Sequence, residues 1–325
     1  MSNIKPKLSV ILPVYNGQEY LLEAIESILS QGFSDFELII INDGSTDHSA
    51  TIIEKLEDPR IKFFQQSNKG LAATLNRGIS LAKGEYIVRQ DQDDISFQSR
   101  FQKQVEFLDT NLEVGMVGTA AEIWVGNERT NRFLKHPTDN AVIKFAMLFD
   151  NPFVHSSVML RRSVFEKVGN YSEDFLRQPP EDYELWSRVM REYKLANLPD
   201  VLVAYREVHG SMSRTGINPF LTNLIKINTE NLAWASGCSL DSSEVVALSK
   251  LHRGVYDKIS SETSFSKMKT MLNQAALHIA EQEHTVPQQV DILLRQSVNR
   301  LRYHYFNYRS GGLLEKLRKM VKSVL

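Results

Sequence analysis

The sequence predicts an α/β protein, with an N-terminal domain over 1–218 built on a sheet with parallel strands and a helical C-terminal region over 219–325. Three observations carry this. Short β-branched runs alternate with segments of helical period through the first two-thirds of the chain. Strand signals nearly vanish beyond Asn218-Pro219, a pair that reads as a helix N-cap and first-turn proline. The 325 residues, 42% apolar and 24% charged, suffice for a large core or two domains of ordinary globular composition.

Leu8–Val14 reads as a buried strand. Leu21, Leu22, Ala24, Ile25, Ile28 and Leu29 then recur at three- and four-residue spacing, a helix that Gly32 stops. Strand 37–41, helix 47–56, strand 61–64, helix 71–82 and strand Tyr86–Arg89 follow. Strands joined through helices must run parallel, and right-handed crossovers stack the helices on both faces. Ligands of such sheets sit at the carboxyl ends of the strands, so chemistry is sought in the loops there. Beyond Asp94 the pattern is mixed: helix 98–108, strand Val114–Val125, helix 140–149, strand 156–160, helix 182–192 and strand 201–205.

Composition removes several classes. A net charge of −1 gives no electrostatic reason to bind nucleic acid. One cysteine, Cys238, excludes a disulfide framework and a multi-thiolate zinc site, and reads as a small buried apolar residue. No run approaches the ~18 apolar residues of a spanning helix, and the N-terminus lacks a secretion-signal core, so a cytoplasmic protein is expected. Charge is uneven, with 14 Lys/Arg against 9 Asp/Glu in 220–325.

Four polar clusters follow predicted strands or open a helix. Pro13-Val14-Tyr15-Asn16-Gly17 offers a shaped loop and a flat ring for stacking. In Asn42-Asp43-Gly44-Ser45-Thr46-Asp47, Ser45 could cap the next helix and Asp47 favour its N-terminus, which leaves Asp43 unexplained. Asp91-Gln92-Asp93-Asp94 places three carboxylates within four residues, a repulsion that solvent or a hard divalent cation must relieve. The calcium-loop reading fails, because the sixth position from Asp91 is Ser96 and the twelfth is Gln102. Pro179-Pro180-Glu181-Asp182 reads either as a stiff entry to a helix or as the seat of a general base. Neither a Gly-x-Gly-x-x-Gly nor a Gly-Lys-Ser/Thr loop is present, which disfavours dinucleotide and P-loop chemistry.

In order and spacing, these clusters resemble the family 2 glycosyltransferases, inverting enzymes of the nucleotide-sugar-binding, Rossmann-like GT-A fold. The likeness covers roughly 7–215 and rests also on Asn68-Lys69-Gly70, Leu75-Asn76-Arg77-Gly78 and the Tyr205-to-Ser213 segment. It implies that Tyr15 and Asp43 hold the nucleotide base, with Pro13, Val14 and Glu19 shaping the pocket. Asn76 and Arg77 would line the path to the ribose, Asp91 and Gln92 would meet the donor, and Asp91 and Asp93 would form the family's DxD motif. Asp93, then Asp91, with His209 nearby, would hold Mn²⁺ or Mg²⁺, and Asp182 or else Glu181 would be the base.

The implied reaction is transfer of one sugar from a nucleotide sugar, UDP-linked by default, to a glycan or lipid-linked glycan acceptor in a bacterial capsule, exopolysaccharide or lipopolysaccharide pathway. The Gln-x-x-Arg-Trp element of processive relatives is missing. A sugar nucleotidyltransferase and a catalytically silent glycan- or nucleotide-binding module are the alternatives. Finally, Leu313, Leu317, Met320, Val321 and Val324 share a helical face with lysines and an arginine largely off it. The 312–325 segment therefore reads as a docked terminal helix or as a peripheral contact with the inner face of the membrane. The oligomeric state is left open.

Overall fold

The computed structural model describes residues 5–208, 220–285 and 287–310. The chain begins β1 (Leu8–Val14), α1 (Leu21–Leu29), β2 (Phe36–Asp43), α2 (Ser49–Glu54), β3 (Ile61–Gln66), α3 (Leu71–Leu81), β4 (Tyr86–Arg89). It continues through β5 (Ile95–Ser96), α4 (Arg100–Thr110), β6 (Val114–Val125), β7 (Glu128–Leu134), α5 (Asn140–Ala146), β8 (Met159–Arg161), α6 (Arg162–Val168), α7 (Glu181–Val189) and β9 (Lys194–Glu207). Helices α8 (Leu221–Ser236), α9 (Ser243–His252), α10 (Phe265–Gln282) and α11 (Asp291–Arg309) complete it.

The strands form one mixed sheet in the order β3-β2-β1-β4-β8-β6-β9-β5, with β7 paired to β6. The first four are parallel, as the alternation with helices requires. β8 is antiparallel to both β4 and β6, and β9 runs parallel to β6. Leu8, Val10, Leu12 and Val14 of β1 are fully buried in a cluster with Ile25 and Ile28 of α1 and Phe101 and Leu108 of α4. Helix α3 comes close to β1 at Gly78, where an added Cβ would lie 2.5 Å from Cγ2 of Ile11.

Three departures from the sequence expectations have local causes. β9 starts at Lys194 rather than near 201, because Pro199-Asp200, a turn signal in sequence, is absorbed as a register shift against β6. β7, which the pattern did not show, is a mostly exposed partner of β6 joined through Gly126-Asn127, and carries no alternating apolar face. The expected strand 156–160 divides into a 3-10 turn, His155–Ser157, and β8, since the hydroxyl of Ser157 bonds the carbonyl of Val154 within the turn.

By packing, the chain divides into Met1–Asp139 with Pro152–Asn218, and Asn140–Asn151 with Pro219–Leu325. The segment around α5, placed by sequence in the first domain, instead joins the helical unit. Ala141, Phe145, Leu148 and Phe149 bury there among Leu232, Leu248, Leu272 and Leu301. A buried Lys144–Glu283 ion pair at 2.6 Å adds to the attachment. Among the described residues, no helix is long and apolar enough to cross a membrane. His209 and the 312–325 segment lie outside the described residues.

The Gly78 contact is testable. Gly78→Val should lower stability by about 1–3 kcal/mol through overpacking against Ile11, read as a fall in melting temperature.

Candidate active site

The loops after β1, β2 and β4 meet at the carboxyl edge of the parallel strands. Gln92, in the loop after β4, clips the first of them: its Oε1 accepts from the N–H of Tyr15 at 2.8 Å, and its Nε2 donates to the Tyr15 carbonyl at 3.0 Å. That clip explains Gly17, whose Cβ would fall 2.4 Å from Gln92 Oε1. The Tyr15 side chain stays 49% exposed at this edge, above buried Pro13 and Val14. Glu19 lies on the surface, and its hydrogen bond to Tyr20 raises that phenol's pKa.

The loop after β2 clasps the loop after β1. The N–H of Asn16 donates to Ser45 Oγ at 3.0 Å, and Asn16 Oδ1 accepts from the N–H of Thr46 at 2.8 Å. The N–H groups of Gly17 and Gln18 donate to Ser49 Oγ and Asp47 Oδ2, each at 3.0 Å. Ser45 and Asp47 thus tie loop to loop, and Asp47 also serves the start of α2, where its Oδ1 accepts from the N–H of Ser49 at 2.9 Å. Asp43, buried at the end of β2, accepts from Gln66 Nε2 at 2.7 Å and from the N–H groups of Lys69 and Gly70 at 2.8 and 2.9 Å. A carboxylate has about four acceptor positions, so these donors leave room for one more.

The polar ends of Asn76 and Arg77 are taken up by the fold. Asn76 Nδ2 donates to the Tyr171 carbonyl and to Glu173 at 2.9 and 2.8 Å, and its Oδ1 accepts from the Tyr171 N–H. Arg77 Nη1 donates to the Gln65 carbonyl and to Gln66 Oε1, pinning α3 to β3.

In the acidic run, the three carboxylates have different environments. Asp91 is half-buried and ion-paired with Arg89 at 2.5 Å. Asp93 is pushed up to about 6, first by burial and then by the charge of Asp91. Asp94 is wholly buried and belongs to the scaffold: it accepts from Ser156 Oγ and, at 2.8 Å, from the N–H of Arg206. Arg206 in turn donates to the Asp93 carbonyl at 2.7 Å, pairs with Glu23 at 2.6 Å and stacks over Tyr20.

Helix α7 begins with the second acidic pair. Glu181 is buried and pushed up to about 7, first by burial and then by the charge of Asp182. Asp182 is less buried, and its Oδ1 accepts from the Tyr183 N–H at 2.7 Å. His155 Nδ1 lies 3.8 Å from Glu181, and its Nε2 is 3.0 Å from the Tyr171 hydroxyl. Burial, and then the charge of Arg89, drives the His155 pKa well down. Tyr171 and His155 pack edge-on to Trp186 at 6.1 and 5.9 Å.

One buried cation unites the two acidic pairs. Arg89 is 3% exposed in its side chain, and its charge lowers the pKa of both Asp93 and Glu181. Among the described residues, its buried Nε has no hydrogen-bond partner. Arg89, His155 and Tyr171 were not singled out by sequence; the first stands in an apolar strand, and the others lie 66 and 82 residues further on. The hard oxygens of Asp91 and Asp93, with the repulsion that raises Asp93, suit a divalent cation. Among the described residues, no cluster of three His, Cys, Asp or Glu side chains forms a ready-made metal site. Two carboxylates supplemented by substrate oxygens are the arrangement these residues fit.

An exposed tyrosine ring and two acidic pairs thus stand at the open edge of the parallel strands, and likeness to known proteins gives the class, a glycosyltransferase of GT-A fold. The model of the glycosyl transferase family 2 matches residues 9–169, and the chain belongs to this family. It is 36% identical over 231 residues to the putative glycosyltransferase EpsE of Bacillus subtilis (strain 168), covering 69% of this chain and 82% of that one. It is 32% identical over 218 residues to the O-antigen biosynthesis glycosyltransferase WbnJ of Escherichia coli, covering 65% and 83%. Among solved structures, S. aureus TarS 1–349 in complex with UDP-GlcNAc superposes with a TM-score of 0.60 at 18% identity, covering 94% of this chain and 92% of that one. The mannosyltransferase PcManGT of Pyrobaculum calidifontis, in complex with GDP-Man and Mn²⁺, gives 0.53 at 16% identity, covering 97% and 89%. Membership of the family sets aside the sugar nucleotidyltransferase.

The raised pKa of Glu181 has a thermodynamic consequence. A carboxyl whose pKa rises from 4.5 to about 7 on folding contributes stability at acid pH that is lost as pH climbs through that interval. Glu181→Gln should therefore melt higher than the parent at pH 8, by up to about 3 kcal/mol of stability, with the gap closing toward pH 4.5.

Proposed function

We propose that the protein transfers a single sugar, with inversion, from a nucleotide sugar to a hydroxyl acceptor in the synthesis of a bacterial surface glycan. The observation that carries this is that the buried guanidinium of Arg89 acts on both acidic pairs, through its ion pair with Asp91, its charge on Asp93 and its charge on Glu181, the neighbour of Asp182. The pairs serve opposite ends of one displacement. UDP is the favoured nucleotide, in keeping with the TarS complex, and the O-antigen name of one relative supports a surface-glycan product.

Tyr15 would stack on the base, and the remaining acceptor position of Asp43 would take a base N–H, with Pro13, Val14 and Glu19 shaping that pocket. Gln92 keeps Tyr15 in place by its two backbone hydrogen bonds. Asn76 and Arg77 would act on the ribose side by holding α3 against β3 and the segment at Tyr171. Asp93, with Asp91, would hold Mn²⁺ or Mg²⁺, which when bound supplies Lewis-acid stabilisation of the charge on the departing diphosphate. The PcManGT complex supports a manganese ion in this role. His209 is proposed near the diphosphate from the family resemblance alone.

The acceptor hydroxyl must lose its proton as it attacks the anomeric carbon. Asp182 is the better base, because it is the less buried of the pair, whereas Glu181 at about 7 is partly protonated near neutrality. Attack opposite the leaving group inverts the centre in one displacement, with no covalent enzyme intermediate.

Asp182→Asn should reduce transfer by ~10²–10⁴-fold while leaving donor binding unchanged. Fully retained transfer in this variant would refute the assignment. A thermal-shift screen of nucleotide sugars should show a donor whose stabilisation is larger with Mn²⁺ than without, and Asp93→Asn should remove the metal-dependent part.

A further inference from the structure

The exposed face of α11 takes no part in the site described above, and its chemistry is unusual for a terminal helix. Arg295, Arg302 and Arg309 recur every seven residues. In a helix this puts them on one side, about 10 Å apart, with a drift of about 20° per repeat. Phe306, 51% exposed, stands between Arg302 and Arg309 beside the row, and Ile292, 70% exposed, comes three residues before Arg295. Val298, three residues after Arg295 and four before Arg302, is buried in the helical core with Leu301, so the row runs along the margin of the buried stripe.

Neutralisation of the row is slight. Asp291 is the one acid in the helix, and its carboxylate lies 3.6 Å from Arg295. Arg302 sits over the ring of Phe265, and Arg309 reaches the Ser261 carbonyl at 3.5 Å, beside exposed Glu262. Arg300, off this row, lies near enough to Asp150 to lower its pKa. A line of three exposed arginines therefore borders the buried stripe, with Phe306 and Ile292 on its outer side.

We propose that this face of α11 docks on the surface of a bilayer containing anionic phospholipid. A planar array of negative headgroups matches a straight cationic row, while Ile292 and Phe306 enter the boundary with the acyl chains as the arginines stay at headgroup level. A second copy of the chain is a poorer partner, because a two-fold contact would set like-charged rows against one another. Nucleic acid would satisfy the arginines and leave the exposed isoleucine and phenylalanine with nothing apolar to meet. The docking is independent of the sugar-transfer chemistry and requires no substrate.

The test is co-sedimentation of the full chain with vesicles of phosphatidylcholine alone or mixed with phosphatidylglycerol. The parent should pellet with the mixed vesicles and not with the neutral ones, and high salt should weaken the binding. The triple variant R295E/R302E/R309E should bind the mixed vesicles at least about 10²-fold less, with its melting temperature and donor binding kept as controls for folding. A chain ending at Ser310 should still bind. Three results would overturn the proposal: no binding by the parent, equal binding by a folded triple variant, or loss of binding on truncation with retention in the triple variant. A lipid-free dimer of the parent that the triple variant dissociates would overturn it too, assigning the face to self-association.

Discussion

A buried guanidinium that acts on three carboxylates, Asp91, Asp93 and Glu181, is the constraint on which the site depends. Burying an arginine is expensive unless opposite charge and hydrogen bonds compensate, and removing one partner of such a group leaves the other uncompensated. Arg89 meets that cost with an ion pair to Asp91 and with the fields of Asp93 and Glu181. In return it lets acids that would repel one another share a small volume. The remaining repulsion shows in the raised pKa values of Asp93 and Glu181. A divalent cation at the first pair and a proton lost by an acceptor to the second would both relieve it.

Around this charge balance, the fold spends its polar loop residues on positioning. Gln92, Ser45, Asp47 and Ser49 hold the backbone of the loop after β1, and Asp43 gathers the N–H groups at the entry to α3. Side chains that look like ligand contacts in a motif are here partly internal struts. The result is preorganisation: a ring and a set of carboxylates fixed by hydrogen bonds made before any donor arrives. Asp94 is the plainest case. It stands in the same acidic run as Asp91 and Asp93, yet its carboxylate ties the loop after β4 to β9 and to the Ser156 turn.

Legibility in the sequence varied with how local each signal was. The parallel half of the sheet was readable because each strand is a short apolar run and each helix carries its own period; β1 and β4 have the expected limits. β7 was hidden by its exposed, polar composition, and the start of β9 by a proline that the sheet accommodates as a bulge. Helix α5 was recognised as a helix but assigned to the wrong unit, since its apolar face does not say which partner will cover it.

By itself, the sequence determined the alternation of strands and helices, the placing of Tyr15, Asp43, Asp91, Asp93, Glu181 and Asp182 near element ends, and a likeness to one family. These are local facts, set by periodicity, turn chemistry and motif order. Only the tertiary structure decided that Arg89 would face Glu181 across 92 residues of chain, that His155 and Tyr171 would back the same acid, and that Asn76 and Arg77 would be drawn into the scaffold. Burial and Coulomb interaction act through space rather than along the chain, so the charges that shape each group's chemistry become visible only once the sheet has brought them together.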